Sequence, residues 1–195
     1  MKSLKDRAKD RVLSFAELLS RRLAALAGDQ RGVSAVEFAL LLPLMLTLYL
    51  GSVEISQGIG ADRKVTLTAR TIADLVSQAS SINNSDMTNS LNAASAVMAP
   101  YSASNLAVTV TSVAIDANGN ATVAWSDTMN GTARSKGATV TVPAALVVAN
   151  SSLIWSEVQY TYKPAIGYVV SGTLLLKDQL YMRPRLSVSI TRTTS

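Results

Sequence analysis

Residues 33–53 (VSAVEFALLLPLMLTLYLGSV) form an apolar run of 21 residues with one charged side chain, Glu37, near its start. About 20 residues at about 1.5 Å rise each cross the hydrocarbon core as a helix, so the chain is expected to be membrane-inserted. A carboxylate inside such a run costs about 2.5–3.5 kcal/mol near the bilayer centre, which marks Glu37 as a functional residue. Pro43 lies in the same run. It would break a soluble helix, but membrane helices re-satisfy the freed carbonyl locally, so a kink is expected rather than an end.

The net charge of +5 is unevenly placed. Residues 1–32 carry eight Lys or Arg against four Asp or Glu, and the remainder is almost balanced at ten against nine. The excess flanks the membrane segment, where Lys and Arg hold a terminus in the cytoplasm, and it does not describe a nucleic-acid surface. Arg21, Arg22 and Arg31 outnumber Arg63 and Lys64 on the far side. The expected orientation is therefore a single pass through the inner membrane, with the N-terminus cytoplasmic and the head periplasmic. The chain contains no Cys and no His, which removes disulfides, thiol chemistry, the commonest metal ligand and the commonest acid–base group. No catalytic, cofactor-binding or metal-ligating residue is assigned, and the chain is not expected to be an enzyme.

The organisation expected along the chain is a cytoplasmic leader at 1–32, a transmembrane segment at 33–53, a helix extension at 54–79 and an α+β head at 80–195. Val12, Phe15, Leu19, Leu23 and Leu26 recur beside Arg and Lys in the leader with the spacing of an amphipathic helix. Beyond the span, Ile55, Ile59, Val65, Ala69, Ile72, Val76 and Ala79 continue the helical period to about 77–79. Gly51, Gly58 and Gly60 weaken it, each by about 1 kcal/mol relative to alanine, so a hinge or local melt is expected near 58–60. After a polar break at 80–85, Ser85 or Asp86 can cap a short helix reaching about residue 98. Its apolar side would be Met87, Leu91, Ala94 and Met98, and Pro100 would close it. The composition then turns to β-branched residues. Segments 107–115 and 121–125 read as a hairpin about Asn118 and Gly119, and 139–142 as a strand stopped by Pro143. Ile154, Ser156, Val158, Tyr160 and Tyr162 alternate with Trp155, Glu157, Gln159, Thr161 and Lys163, the period of a strand with one buried face. Leu186, Val188 and Ile190 alternate with serines and threonine in the same way. Together these give an antiparallel sheet of about four to six strands on which the long helix packs.

Gly32 directly precedes the run, and Glu37 and Phe38 occupy the fifth and sixth places after it. This arrangement resembles the processing site of class III signal peptides in prepilins, which would place a cut between Gly32 and Val33. The wider stretch Arg31-Gly32-Val33-Ser34-Ala35-Val36-Glu37-Phe38-Ala39-Leu40, with Pro43, Gly51, Glu54, Thr68, Ala69 and Arg70, resembles the N-terminal module of TadE/TadG-like proteins. Segments 140–146, 157–164 and 181–185 are similar to the C-terminal part of that family. In length the chain is closer to TadE. The resemblance implies a pilin-like α+β fold and a minor pilin or pseudopilin of the tight-adherence (Flp) branch of type IV pili. It implies as partners inner-membrane lipid, a prepilin peptidase, other minor pilins and the major pilin. It implies roles in processing for Gly32, Val33, Glu37 and Phe38, and in helix packing or assembly for Glu37, Pro43, Glu54 and Arg70. A cut before Val33 would leave an α-ammonium one helical turn from Glu37 on the same face. The two charges could then neutralise each other in low dielectric. The plainer reading is a carboxylate near a helix N-terminus at the membrane interface, where negative charge is favoured.

Other constellations carry less. Asp116, Asn118, Asn120 and Asp127 match ligand positions of a calcium loop, but Ala121 stands where that loop needs glycine and Gly119 sits where a hairpin turn wants it. Gly58 and Gly60 lack the third glycine and the preceding strand of a nucleotide cradle. Tyr160, Tyr162, Tyr168 and Tyr181 suit either an adhesive aromatic surface or core and edge packing. Two further functions stand beside the pilin reading: an uncut TadG-like membrane-anchored assembly factor, and an envelope binding module acting through the β-rich head.

Overall fold

The computed structural model describes residues 30–167 and 171–193. Most of the expected leader and Tyr168 lie outside the described residues. The chain divides into two units, Met1–Tyr49 and Leu50–Ser195.

Helix α1, Gln30–Ser77, is a single uninterrupted element that runs through Pro43 and through the glycines at 58 and 60. In the first unit its described part is a plain apolar helix. Val36, Phe38, Leu40, Leu44, Leu48 and Tyr49 are all exposed. The second unit is α+β. It contains α1 from residue 50 onward, a short strand β1 (Ser81–Ile82), helix α2 (Asn84–Met98), and strands β2 (Leu106–Ile115), β3 (Ala121–Met129), β4 (Ser151–Tyr162), β5 (Leu174–Met182) and β6 (Thr191–Arg192). Strands β2 to β5 form one antiparallel sheet in the order β3-β2-β4-β5. β1 and β6 make a separate two-residue parallel pair.

The alternation in β4 sorts its side chains as the period of two requires. Ile154, Ser156, Val158, Tyr160 and Tyr162 are buried, while Gln159 and Thr161 are exposed. On the same face β2 contributes Leu106, Val108 and Val110, and α1 lays Ala61, Val65, Ala69, Ile72 and Val76 into one core with them. Thr68 is buried on this face of the helix without cost, because its hydroxyl donates to the Lys64 carbonyl at 2.8 Å. α2 closes the layer with Met87, Leu91, Ala94 and Met98. On the opposite face of the sheet, Val113, Ile115, Ala121, Leu153 and Trp155 meet Val142 from the loop after β3, and Leu146 and Val147 pack against them. A bulge between Ser112 and Val113 in the β2–β3 register lets β3 send Trp125 to the helix core and Val123 to the other face.

Five expectations are corrected. There is no melt at 58–60. A β-carbon on Gly60 would stand 3.0 Å from the Tyr101 hydroxyl, and one on Gly58 would stand 3.8 Å from the Tyr162 ring. Gly60 therefore gives the Tyr101 hydroxyl its close approach, whereas a β-carbon on Gly58 would make only an ordinary contact, and the packing of the helix on the sheet outweighs the poor helix propensity of both. The cap of α2 is Asn83 rather than Ser85 or Asp86. Its side chain accepts from the Asp86 amide at 2.9 Å, and the Asp86 carboxylate accepts from the Asn83 amide at 3.4 Å, a reciprocal capping box. The polar break before it contains the short strand β1. Segment 139–142 is not a strand and makes only an isolated bridge, Thr122 to Thr139, beside β3. Segment 186–190 is also irregular. Leu186 and Val188 are 73% and 75% exposed, and the carbonyls of Val188 and Ile190 accept from Ser152 Oγ at 2.6 Å and Trp125 Nε1 at 2.7 Å instead of from a neighbouring strand. β5 is the strand that periodicity did not single out.

The capping box supplies a modest test. Asn83→Ala removes a cap worth about 1 kcal/mol, and in a chain of this size the melting temperature is expected to fall by about 2–4 °C. An unchanged melting temperature in a thermal scan would mean that α2 does not depend on this cap.

Candidate functional site

The chemistry-bearing residues lie along α1. In the first unit, Gly32 is exposed and open space surrounds the position its β-carbon would take. Val33 and Phe38 are 59% and 57% exposed. Glu37 is exposed four residues after Val33, so the two lie on one helical face about 6 Å apart along the axis. Pro43 is exposed as well. The helix is long and apolar enough to cross a membrane, and its most apolar stretch is not buried among the described residues.

The second unit places the other two predicted residues apart. Glu54 is buried, 3% exposed, whereas Arg70 is exposed. They stand sixteen residues apart on one helix, about 24 Å of rise, so they do not meet within the chain. Glu54 shares the buried face with Ala61, Val65 and Ile72. The expected apolar stripe is corrected at its start, since Ile55 and Ile59 are both exposed and Glu54 takes the buried face in their place.

Around Glu54 the tyrosines gather. Tyr101 stacks edge-to-face with Tyr160 and Tyr162 at ring separations of 6.1 and 6.3 Å. Its hydroxyl donates to the Gln57 carbonyl at 3.1 Å. Tyr160 and Tyr162 are both 4% exposed, so they are core residues and not an adhesive surface. Burial pushes the Tyr162 phenol up from its ordinary value, with Tyr101, Glu54 and Tyr160 adding to the shift, and it stays neutral. Tyr181 is half-buried on the other face of the sheet, stacked on Trp155 at 5.2 Å. Its phenol is also pushed up, first by burial and then by Glu157, with Arg134 opposing.

On that second face a polar cluster went unread in the sequence. The Arg134 guanidinium lies 3.8 Å over the Trp155 ring and pairs with both carboxylate oxygens of Glu157. This ties the loop after β3 to β4. Asp127 pairs with Arg192 at 2.9 Å, which fastens β6 to the end of the sheet. No sequence spacing announces either pair, because each joins residues far apart in the chain.

The calcium reading fails on geometry. Asp116 Oδ1 accepts from the amides of Asn118 and Asn120, each at 2.8 Å, and its Oδ2 accepts from the Asn120 side chain at 2.9 Å. These bonds, led by the Asn120 side chain, hold the Asp116 carboxyl below its ordinary range. Gly119 takes φ +85°, as the turn demands. Asp127 is occupied by Arg192. No group of His, Cys, Asp or Glu that could hold a metal occurs among the described residues.

Against known families, the model described as TadE-like protein matches residues 32–74. The chain carries a TadE-like segment. The match begins at Gly32 and takes in Glu37, Pro43, Glu54 and Arg70, so it covers the apolar run and most of the helix that packs on the sheet. No curated protein and no solved structure matches the chain.

Proposed function

We propose that this protein is a minor pilin or pseudopilin, a structural or assembly subunit of a tight-adherence (Flp) pilus, processed by a prepilin peptidase after Gly32. The observation that carries the reading is the TadE-like segment beginning at Gly32 on a helix whose apolar side chains up to Tyr49 are largely exposed among the described residues. Such a helix needs lipid or other subunits around it, since exposed apolar surface is unfavourable at about 25 cal/mol per Å². The span is stored in the inner membrane, and Glu37 with the new α-ammonium at Val33 serves its docking beside other helices. The head acts by contact with other minor pilins and the major pilin and not by catalysis. Its ionisable clusters, Arg134 with Glu157 and Asp127 with Arg192, are spent on holding loops to the sheet.

Purification of the full chain from membranes in mild detergent tests the partnership. The expected result is recovery with at least one pilin-like protein of the same machinery. Recovery without any such partner, together with a hydrolase or transferase activity that follows the protein through the column, would contradict it. The uncut anchored factor is distinguished by its N-terminus.

A further inference from the structure

The face of the sheet turned away from α1 is divided. One half is covered by the chain itself, where Val142, Leu146 and Val147 pack over Val113, Leu153 and Trp155. The other half is open and polar. Two rows of side chains run straight across it from β2 through β4 to β5, Thr109, Glu157 and Gln179 in one and Ala107, Gln159 and Lys177 in the other. A trough of about 490 Å³ lies over their β2 and β4 part, walled by the loop that follows β3. A second hollow of about 320 Å³ shares Glu157 and Gln159 with it and continues onto Lys177 and Gln179. Three strands at about 4.8 Å spacing make this floor about 10 Å across.

The wall is pinned to the sheet. Asn130 Nδ2 donates to the Leu106 carbonyl at 2.9 Å, Arg134 pairs with Glu157, and Gly131 lies so close that a β-carbon on it would stand 2.7 Å from Thr128 Oγ1. The same bonds orient the polar groups left over. With Nδ2 engaged, Asn130 keeps Oδ1 as an acceptor, and with Oε1 taken by Trp155 Nε1 at 3.1 Å, Gln179 keeps Nε2 as a donor. Gln159 and Lys177 are exposed and carry no hydrogen bond or ion pair of their side chains among the described residues.

This lining selects by its chemistry. Extended peptides are read through pockets for alternate side chains, and here the apolar side chains are only those of Ala107 and Ala133, since Val158 is buried on the other face. Nucleic acid needs several cations for its phosphates, and Lys177 alone is unpaired. A metal needs free carboxylates, but Glu157 is held by Arg134, and Asp178 Oδ1 accepts from the Gln179 amide at 2.7 Å. Fixed donors and acceptors side by side, with one cation, match a ligand whose neighbouring hydroxyls both donate and accept and which carries a carboxylate.

We propose that this trough binds an oligosaccharide that carries a carboxylate. Sugar hydroxyls donate to Asn130 Oδ1 and accept from Gln179 Nε2, the Gln159 amide meets them in both senses, and the carboxylate lies against Lys177. The Arg134–Glu157 pair stays intact and holds the wall. The inference rests on neither the membrane-spanning reading nor processing nor pilus assembly.

Isothermal titration of the full chain, in a detergent without sugar head groups and at low salt, tests it. The probes are an oligogalacturonate, which stands for acidic polysaccharides, and a muramic-acid oligosaccharide, which stands for cell-wall glycan, each with its methyl ester, and polyglutamate is the control. At least one acidic oligosaccharide is expected to bind with a Kd on the order of 1 mM or tighter, and which of them does so identifies the source. Its ester is expected to bind about two- to fivefold more weakly, the modest ratio that an exposed ion pair supplies. Gln159→Ala is expected to weaken binding about fivefold, and Lys177→Gln to erase the preference for acid over ester. Both side chains are exposed, so an unchanged melting temperature verifies that each variant is folded. Absence of saccharide binding up to about 10 mM, equal binding of acid and ester, polyglutamate binding as tight as the oligosaccharide, or an affinity untouched by both substitutions overturns the proposal.

Discussion

Val158→Asp is expected to unfold the head. Val158 is fully buried at the centre of β4, on the face covered by α1 and α2. Its backbone pairs with Val108 on one side and Asp178 on the other. The described residues of the cluster around Val158 are all apolar or aromatic, and burying an unpaired carboxylate among them costs more than about 4 kcal/mol. That is a large share of the about 5–15 kcal/mol that holds a domain together. Glu157→Ala, one residue away on the opposite face, is expected to cost only about 1 kcal/mol, because the ion pair with Arg134 is partly exposed. It is not silent, since Arg134 also loses the anchor that holds it over Trp155. Limited proteolysis of the two variants in membranes checks the contrast. Rapid digestion of the head is expected for Val158→Asp and near-native resistance for Glu157→Ala, and equal resistance of both would mean that the β4 register is wrong.

Glu37→Leu is expected to leave the chain membrane-bound and abolish piliation. The substitution makes the helix more apolar and so easier to hold in lipid. What it removes is the partner proposed for the α-ammonium at Val33. Leaving one member of a buried pair without the other costs about 3–5 kcal/mol, more than a hundredfold in each docking event. Counting pili by electron microscopy, with the membrane fraction assayed in parallel, separates the two effects. Normal pili from this variant would reduce Glu37 to an interfacial carboxylate near a helix N-terminus.

The elements that the sequence revealed are those in which a buried and an exposed face alternate over at least part of their length. β4 was legible through its second half, where Val158, Tyr160 and Tyr162 are buried and Gln159 and Thr161 exposed, and α2 because Met87, Leu91, Ala94 and Met98 form a clean stripe. β5 was hidden for the opposite reason. It is an edge strand with Leu174 and Leu175 exposed on successive positions, so no period of two emerges. The false strand at 186–190 had the right alternation, but Leu186 and Val188 face solvent and the backbone there serves side chains of β3 and β4. Periodicity reports apolar spacing and does not know which backbone groups are already engaged. The same blindness produced the expected melt at 58–60, where glycine reads as a breaker in sequence and Gly60 acts as clearance for Tyr101. At the candidate site, Gly32, Glu37 and the span were plain from local spacing. The setting of Glu54 among the tyrosines was not, since it depends on residues about fifty and a hundred positions further along.

The intact mass of the protein recovered from membranes, confirmed by N-terminal sequencing, tests the central claim most directly. In cells with an active prepilin peptidase the chain is predicted to begin at Val33, and replacing Gly32 with a bulky residue is predicted to shift it to the form that begins at Met1. Finding only the Met1 form in peptidase-competent cells would contradict the pilin account and favour an uncut membrane anchor.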